Sequence, residues 1–149
     1  MTKGNDDLRL AISEWLERRF AISVDPDQQI LPVYGTREAL FAVAQALLSG
    51  KPGSLVGMPN PFYQIYEGAA LLAGASPLYI ANLEENDYRA DFAAVTDAQW
   101  QAIEMVYVCS PGNPTGQIMS ETDMEELITL AHRHDLTGVS EEGYSEMHY

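Results

Sequence analysis

The chain has 149 residues, of which 46% are hydrophobic and 20% charged, and its 22 acidic and eight basic side chains give a formal net charge of −14. This length suits one domain with a buried core, and the charge disfavours anionic partners such as nucleic acid and anionic membranes. A single cysteine, Cys109, excludes a disulfide framework and any metal site built from several cysteines. The polar, acidic N-terminus is unlike a signal peptide, and every apolar run is far shorter than the roughly 20 residues that span a bilayer, so we expect a cytoplasmic protein.

Apolar side chains recur at helical spacing near the N-terminus and predict a first helix over residues 6–20. The apolar face of this helix is expected to consist of Leu8, Ala11, Ile12, Trp15 and Leu16. Asn5 or Asp6 is placed to cap the helix, and acidic residues in its first turn suit the helix dipole. After a turn at residues 25–27, a short apolar run predicts a strand over residues 30–34.

From residue 35 onwards, predicted helices and strands alternate. The helices are expected over residues 37–48, 62–73 and 121–134, with a short one near 98–103. The strands are expected over residues 54–58, 76–80, 104–110 and 136–140. This alternation is typical of βαβ units, so we predict an α/β fold in three layers, with a mainly parallel sheet between two layers of helices. Ligands of such sheets bind at the carboxyl ends of the strands, which makes four strand-to-helix loops candidate binding sites.

The first two of these loops have residues that suit a flat, anionic ligand. At residues 35–37, Gly-Thr-Arg precedes a helix whose free first-turn amides favour an anion, although an ordinary capped helix explains the same residues. In the second loop, Tyr63 follows a proline turn and is able to lie flat on a planar ring, while Tyr66 shares its helix face; core packing is the alternative. The phosphate-loop and dinucleotide fingerprints are both absent from the sequence, which counts against ATP and NAD.

The last two loops are more unusual. Residues 110–116 contain two prolines and two glycines, and they fix the backbone around a side-chain amide, Asn113, more tightly than a surface turn requires. The fourth loop begins with Glu141, at the end of a predicted inner strand. A buried carboxylate is costly unless it is paired, so Glu141 is expected to need a cationic partner such as a protonated heterocycle; a solvated acidic loop is the alternative.

Together these loops resemble the large domain of the fold-type I, class I/II pyridoxal-phosphate aminotransferases. Residues 110–116 look like the family's Ser-Pro-x-Asn-Pro-Thr-Gly motif. Residues 35–40, 60–68 and 144–146 are similar to N-succinyldiaminopimelate aminotransferases of lysine biosynthesis. The resemblance covers the chain from about residue 7 onwards. It implies the cofactor pyridoxal 5′-phosphate, amino acid and 2-oxo acid substrates, and a homodimer.

The resemblance also implies a role for each candidate site residue. The cofactor phosphate would be held by Gly35, Thr36 and Arg37. Tyr63 would stack on the ring. Asn113 and Tyr144 would form hydrogen bonds to its phenolic oxygen, and Glu141 would pair with its nitrogen. In the family, an aspartate at the position of Glu141 keeps the ring nitrogen protonated, so that the ring accepts electrons from the substrate.

Three residues depart from the family's pattern. Glu141 keeps the charge of the aspartate, but its extra methylene moves the carboxylate by about a bond length, and small displacements at a reacting centre are expensive. Gly138 weakens a strand that should be interior. Tyr34 stands where close relatives commonly have asparagine.

The family's Schiff-base lysine lies beyond the motif that contains Tyr144, and the lysines of this chain are Lys3 and Lys51. The resemblance therefore implies that residues 1–149 are a partial large domain, without the N-terminal arm, the Schiff-base lysine region and the small domain, and with no catalytic residue of its own. We expect transamination from a longer parent, and at most weak cofactor binding from this chain. The alternatives are a decayed or partner-binding α/β remnant without enzymatic activity and, less favoured, a generic nucleotide-binding domain. His132 and His134 point to different helix faces, so no metal site is expected.

Overall fold

The computed structural model describes residues 3–147. Backbone contacts divide the chain into two compact units. The N-terminal unit ends at Gly35, and the C-terminal unit begins at Thr36.

The N-terminal unit contains one helix, α1 (Asp6–Phe20), which has the predicted bounds. Of the two predicted caps, Asn5 is the one used, because its side chain accepts a hydrogen bond from the backbone N–H of Leu8 at 3.0 Å. The helix ends at Ala21, which adopts a left-handed conformation (φ 56°) and bonds back to the last turn through its N–H. Both ends are therefore fixed by local hydrogen bonds.

The predicted apolar face of α1 is not its buried side. Leu8 and Trp15 are 49% and 42% exposed, whereas Arg9 is 3% exposed. The Arg9 guanidinium is surrounded by acceptors from the same unit, which are the carbonyls of Lys3, Gly4 and Pro26 and the carboxylates of Asp6 and Asp27. Burial follows the hydrogen bonds here, since a guanidinium with this many partners is stable out of water.

The predicted strand over residues 30–34 is wrong. These residues have no regular secondary structure, and Leu31, Val33 and Tyr34 are exposed. The apolar run has the composition of a strand, but a strand is stable only when a neighbour completes its ladder of hydrogen bonds. The four strands that the structure describes all lie in the C-terminal unit.

The C-terminal unit contains the predicted alternation of helices and strands. The helices are α2 (Thr36–Leu47), α3 (Ile65–Leu72), α4 (Asp97–Ala102) and α5 (Glu121–His134). The strands are β1 (Leu55–Asn60), β2 (Ser76–Ala81), β3 (Ile103–Cys109) and β4 (Thr137–Glu141). Two single turns of 3₁₀-helix, Glu84–Asn86 and Phe92–Ala94, lie in the polar stretch between β2 and α4.

The sheet is parallel throughout, in the order β2-β1-β3-β4. β1 extends through Pro59, beyond the predicted end of this strand at residue 58. This is possible because β3 pairs with β1 only as far as Gly57, so Pro59 is paired with β2 alone. Among the described residues β4 lies at the edge of the sheet, so the prediction that Glu141 ends an inner strand is wrong for this structure. Gly138 lies in this edge strand, and a Cβ there would meet no atom within 4 Å, so no close contact requires glycine at this position.

Helices cover both faces of the sheet, which confirms the predicted three-layer α/β fold. One face packs with α2 and α3 in a core that consists of Leu40, Ala44, Val56, Met58, Tyr66, Ala69, Ala70, Ala75, Met105 and Tyr107. The other packs with α4 and α5 in a core that consists of Ile80, Phe92, Trp100, Ile103, Val106, Val108, Leu127 and Leu136. Two apolar residues of these helices, Leu47 and Ile128, lie outside the cores and are 56% and 49% exposed. Within residues 3–147, no helix combines the length and apolarity needed to cross a bilayer.

Candidate functional site

The carboxyl ends of the parallel strands meet at one edge of the sheet, and they carry three of the four candidate loops. β1 ends at Asn60, β3 at Cys109 and β4 at Glu141. The fourth element is the N-terminal turn of α2. It reaches the same edge because the Arg37 side chain contacts Tyr63, which follows β1.

Arg37 and Tyr63 form a pair. The guanidinium donates from Nε to the Tyr63 hydroxyl at 2.7 Å and lies 5.6 Å from the centroid of the Tyr63 ring. The hydrogen bond to the Tyr63 phenol raises the pKa of Arg37 above its ordinary value, so the side chain stays cationic. A fixed positive charge next to the first turn of a helix of 12 residues creates an environment that favours an anion.

Tyr66 connects this pair to Glu141. Its ring meets that of Tyr63 edge to face, with centroids 5.9 Å apart. The Tyr66 hydroxyl donates to Oε2 of Glu141, and both residues are buried, with Glu141 only 7% exposed. Burial and the hydrogen bond to Glu141 raise the pKa of Tyr66 far above its ordinary value, so the phenol keeps its proton and remains a donor.

Cys109 joins the loop of residues 110–116 to the same group. It lies opposite Glu141 in the ladder between β3 and β4. Burial raises the pKa of the Cys109 thiol, while the backbone N–H of Asn113, which points at the sulfur, acts in the opposite direction. The thiol also contacts the Pro111 carbonyl at 3.2 Å. Cys109 was not among the predicted site residues, although its place at the end of a predicted strand, directly before the loop, was the available signal.

The loop itself is closed by its own backbone, as predicted for a tight turn. Gly112 donates to the Gln117 carbonyl at 2.8 Å, and Gly116 donates to the Gly112 carbonyl at 2.7 Å. Gly116 has a φ of 75°, a left-handed conformation that favours glycine, and a Cβ at Gly112 would lie only 3.0 Å from the Thr115 hydroxyl, which would have to shift slightly. The loop is tied to β4 by the Ser110 N–H, which donates to the Glu141 carbonyl at 3.1 Å.

A cavity that is open to solvent lies on the α5 side of this loop. Its walls include Asn82, Arg89, Cys109, Asn113 and Asp123. The Asn82 Oδ1 atom is buried without a hydrogen-bond partner, and Arg89 forms an ion pair with Asp123. Asn113 is the predicted site residue that lines this cavity; Tyr63 and Glu141 are not among the described residues in its walls.

The seven predicted site residues are therefore brought together only in part. Contacts connect Arg37, Tyr63 and Glu141 through Tyr66, and Cys109 links the backbone of Asn113 to them. Thr36 begins α2 and is exposed, next to Arg37. Gly35 is the last residue of the N-terminal unit. Tyr144 lies in the turn after β4 and is 37% exposed, and no contact that the structure gives for residues 3–147 joins its side chain to the others.

Comparison with known proteins settles the family. The family model for aminotransferase class I and II matches residues 1–149, the whole chain. The chain belongs to this family. The resemblance of its loops to class I/II aminotransferases is thereby confirmed, and so is the fold that the resemblance implied.

Individual relatives show how much of a class I/II aminotransferase the chain represents. It is 32% identical over 141 residues to an LL-diaminopimelate aminotransferase of Oleidesulfovibrio alaskensis, which covers 95% of this chain and 36% of the relative. It is 32% identical over 146 residues to an aspartate aminotransferase of Pyrococcus abyssi, which covers 98% and 37%. The crystal structure of an aminotransferase from Neisseria meningitidis Z2491 has 37% identity and a TM-score of 0.94, covering all of this chain and 38% of that one. The chain thus spans little more than a third of the length of these proteins.

The residues present have the chemistry that pyridoxal phosphate requires. Arg37 supplies a cation for a phosphate, Tyr63 supplies an aromatic face, and Glu141 supplies a buried carboxylate. Only one oxygen of Glu141, Oε2, is bonded to Tyr66. The other oxygen, Oε1, accepts no hydrogen bond from residues 3–147. It is not fully buried either, because Asn82 Oδ1 is the one side-chain oxygen in these residues that is both fully buried and unpartnered. A carboxylate oxygen that is left without a donor fits a protonated ring nitrogen.

Proposed function

We propose that this chain is the cofactor-binding part of a pyridoxal-phosphate-dependent aminotransferase. The observation that carries the proposal is the contact series Arg37, Tyr63, Tyr66 and Glu141, which places a cation, an aromatic ring and a buried carboxylate at the carboxyl edge of a parallel sheet. When bound, pyridoxal phosphate supplies an electron-accepting ring for the transfer of an amino group between an amino acid and a 2-oxo acid.

Each of the seven candidate site residues has a defined role in this proposal. The phosphate is bound by Gly35, Thr36 and Arg37. Tyr63 stacks on the ring, Asn113 and Tyr144 donate to its phenolic oxygen, and Glu141 accepts a hydrogen bond from its protonated nitrogen. A carboxylate that is already buried and oriented needs little reorganisation when the ring binds, which is how a preformed site stabilises charge.

The substrate and the assembly are further parts of the proposal. Relatives named LL-diaminopimelate aminotransferase support a substrate of the diaminopimelate type, and we propose N-succinyl-diaminopimelate with 2-oxoglutarate, in lysine biosynthesis. A cytoplasmic homodimer is the assembly that the family resemblance favours. An aspartate aminotransferase relative has the same 32% identity, so the two amino donors are to be compared directly on the whole enzyme.

A binding titration with pyridoxamine 5′-phosphate tests the proposal, because this compound carries the ring and phosphate but needs no lysine. Ring fluorescence should change saturably with the wild-type chain. The Glu141→Gln variant should weaken binding about tenfold, since the neutral amide is a poor partner for a pyridinium. The matched control is Glu142→Gln, at the exposed neighbouring position, which should leave the affinity unchanged. Absence of saturation at millimolar concentration would favour a non-enzymatic remnant of the fold.

We expect no transamination from the chain alone. Amino-group transfer requires a lysine that holds the cofactor and then moves a proton. Lys51 lies in the turn before β1, at the amino edge of the sheet, opposite the site, and Lys3 lies in the N-terminal unit. Steady conversion of an amino acid with 2-oxoglutarate by the purified chain would contradict this expectation.

A further inference from the structure

Contacts from three elements of the C-terminal unit hold the Tyr66 side chain in place. Its side chain is fully buried, and its ring stacks on that of Tyr107 with centroids 4.6 Å apart and an interplanar angle of 11°. The Tyr107 hydroxyl in turn donates to the Leu40 carbonyl of α2 at 2.7 Å. The position of the Tyr66 hydroxyl is therefore fixed by α3, which carries it, and by a stacked partner on β3 that is itself bonded to α2.

Glu141 is the residue that the Tyr66 hydroxyl contacts. The Tyr66 hydroxyl donates to Oε2, and Oε1 has no donor among the described residues. A glutamate has one more rotatable bond than the aspartate that the family resemblance places here. Ordering the longer side chain costs additional conformational entropy. A buried hydrogen bond to one carboxylate oxygen selects one rotamer before any ligand arrives.

We propose that Tyr66 is a positioning residue, which fixes the Glu141 carboxylate through Oε2 and so presents Oε1 to the ring nitrogen of the cofactor. This inference rests on the proposed function. It gives a reason why glutamate can replace aspartate at position 141: the longer side chain is held by Tyr66, the tyrosine one helical turn beyond Tyr63. It also explains why the donor is a phenol: burial and the Glu141 bond raise the pKa of Tyr66, so the proton stays on the phenol and the charge stays on the carboxylate.

A residue that only fills the core and a residue that acts through Glu141 differ in one measurable way. Loss of the Tyr66 hydroxyl weakens ligand binding in both cases if it loosens the fold. Only a positioning role makes that loss depend on the carboxylate at position 141. The coupling between the two positions is thus the decisive quantity.

The experiment measures the Kd for pyridoxamine 5′-phosphate with four full-length proteins: wild type, Tyr66→Phe, Glu141→Gln and the double variant. Tyr66→Phe should raise the Kd about tenfold in the wild-type background and less than about twofold in the Glu141→Gln background. The matched control is Tyr79→Phe. It removes another Tyr–Glu hydrogen bond, between Tyr79 and Glu67, outside the site, and should leave the Kd unchanged.

The outcomes separate the two proposals. An equal loss of affinity in both backgrounds would mean that Tyr66 acts through packing, and it would overturn this inference while leaving the proposed function intact. No binding by the wild-type chain would overturn both.

A second measurement does not depend on whether Tyr66→Phe folds. The ¹³Cζ resonance of Tyr66, recorded in the wild-type chain, should shift when pyridoxamine 5′-phosphate saturates the site, and it should not shift in Glu141→Gln at the same ligand concentration. A resonance that stays in place while the wild-type chain saturates would overturn the positioning role.

Discussion

At the start of β3, the Glu104 carboxylate ties three segments together. It accepts hydrogen bonds from the Ser49 N–H at 2.7 Å and from the Ser54 hydroxyl at 2.8 Å, and it also bonds the Ser49 hydroxyl. These donors, led by the Ser49 side chain, hold the pKa of Glu104 below its ordinary value of 4.5. The carboxylate thereby fastens the end of α2 to the amino edge of the sheet, on the side away from the candidate site.

The lowered pKa predicts how Glu104 affects stability as the pH changes. A carboxyl group whose pKa is lower in the folded state stabilises the fold above its unfolded pKa, and this contribution is lost as the pH falls through the folded value. We expect Glu104→Gln to reduce the free energy of unfolding by about 1 kcal/mol at pH 7, and the difference from wild type to shrink below about pH 4. Urea unfolding of both proteins at pH 7 and below about pH 4 measures this difference in the free energy of unfolding. Glu125→Gln, on an exposed face of α5, is the control, and a constant difference across the range would contradict the prediction.

At the scale of the element, α1 is anchored by a charged side chain. Arg9 donates from Nε to the Pro26 carbonyl at 2.9 Å and from Nη2 to the Asp6 and Asp27 carboxylates at 2.8 and 2.9 Å. The helix is thus fastened to the turn that follows it through one planar group. A lysine carries the same charge but cannot present donors in this fixed arrangement.

Arg9→Lys should therefore destabilise the N-terminal unit, by about 2 kcal/mol, because the carbonyls of Lys3, Gly4 and Pro26 lose donors and the buried cation loses partners. Hydrogen exchange of the α1 amides is the measurement, since it reports the opening of this helix alone. The control is Arg18→Lys, because Arg18 is 68% exposed and its contact to Glu14 is long, at 3.8 Å. Equal acceleration of exchange in the two variants would show that Arg9 is not the anchor.

At the scale of the whole molecule, two features act in opposite directions. The net charge of −14 keeps copies of the chain apart. Large apolar side chains are nevertheless exposed in the C-terminal unit, with Leu72 at 73% and Leu47 and Leu71 at 56% each. Both β2 and β4 also have a neighbour on one side only in the described sheet, and unpaired strand edges favour association.

Salt should shift this balance towards association. Raising the ionic strength from about 10 mM to about 0.5 M shortens the range of charge repulsion several-fold and leaves apolar attraction in place. We expect sedimentation velocity to show larger species at the higher ionic strength. Leu72→Ser should reduce them without lowering the thermal midpoint, because the side chain is exposed. A distribution that does not change with salt would contradict the prediction.

The parts of the fold that follow from the sequence alone depend on residues that are close to one another along the chain. The bounds of α1 and α5 match the predicted ones, because the helical spacing of their apolar residues is a local pattern. Asn5 was also predicted as one of two caps of α1. The alternation of apolar runs with helical periods was enough to predict the layered, parallel architecture. The tight loop at residues 110–116 was also readable, because proline and glycine restrict the backbone locally.

Only the tertiary structure decided which groups meet across long stretches of chain. Residues 30–34 have the composition of a strand but no described partner, and Arg9 is buried because distant carbonyls surround it. The hydrogen bond between Tyr66 and Glu141 joins positions 75 residues apart. No local pattern encodes such a contact, since it depends on the strand order that places β1, β3 and β4 side by side. Spacing therefore determined the elements, and the packing of the sheet determined the site.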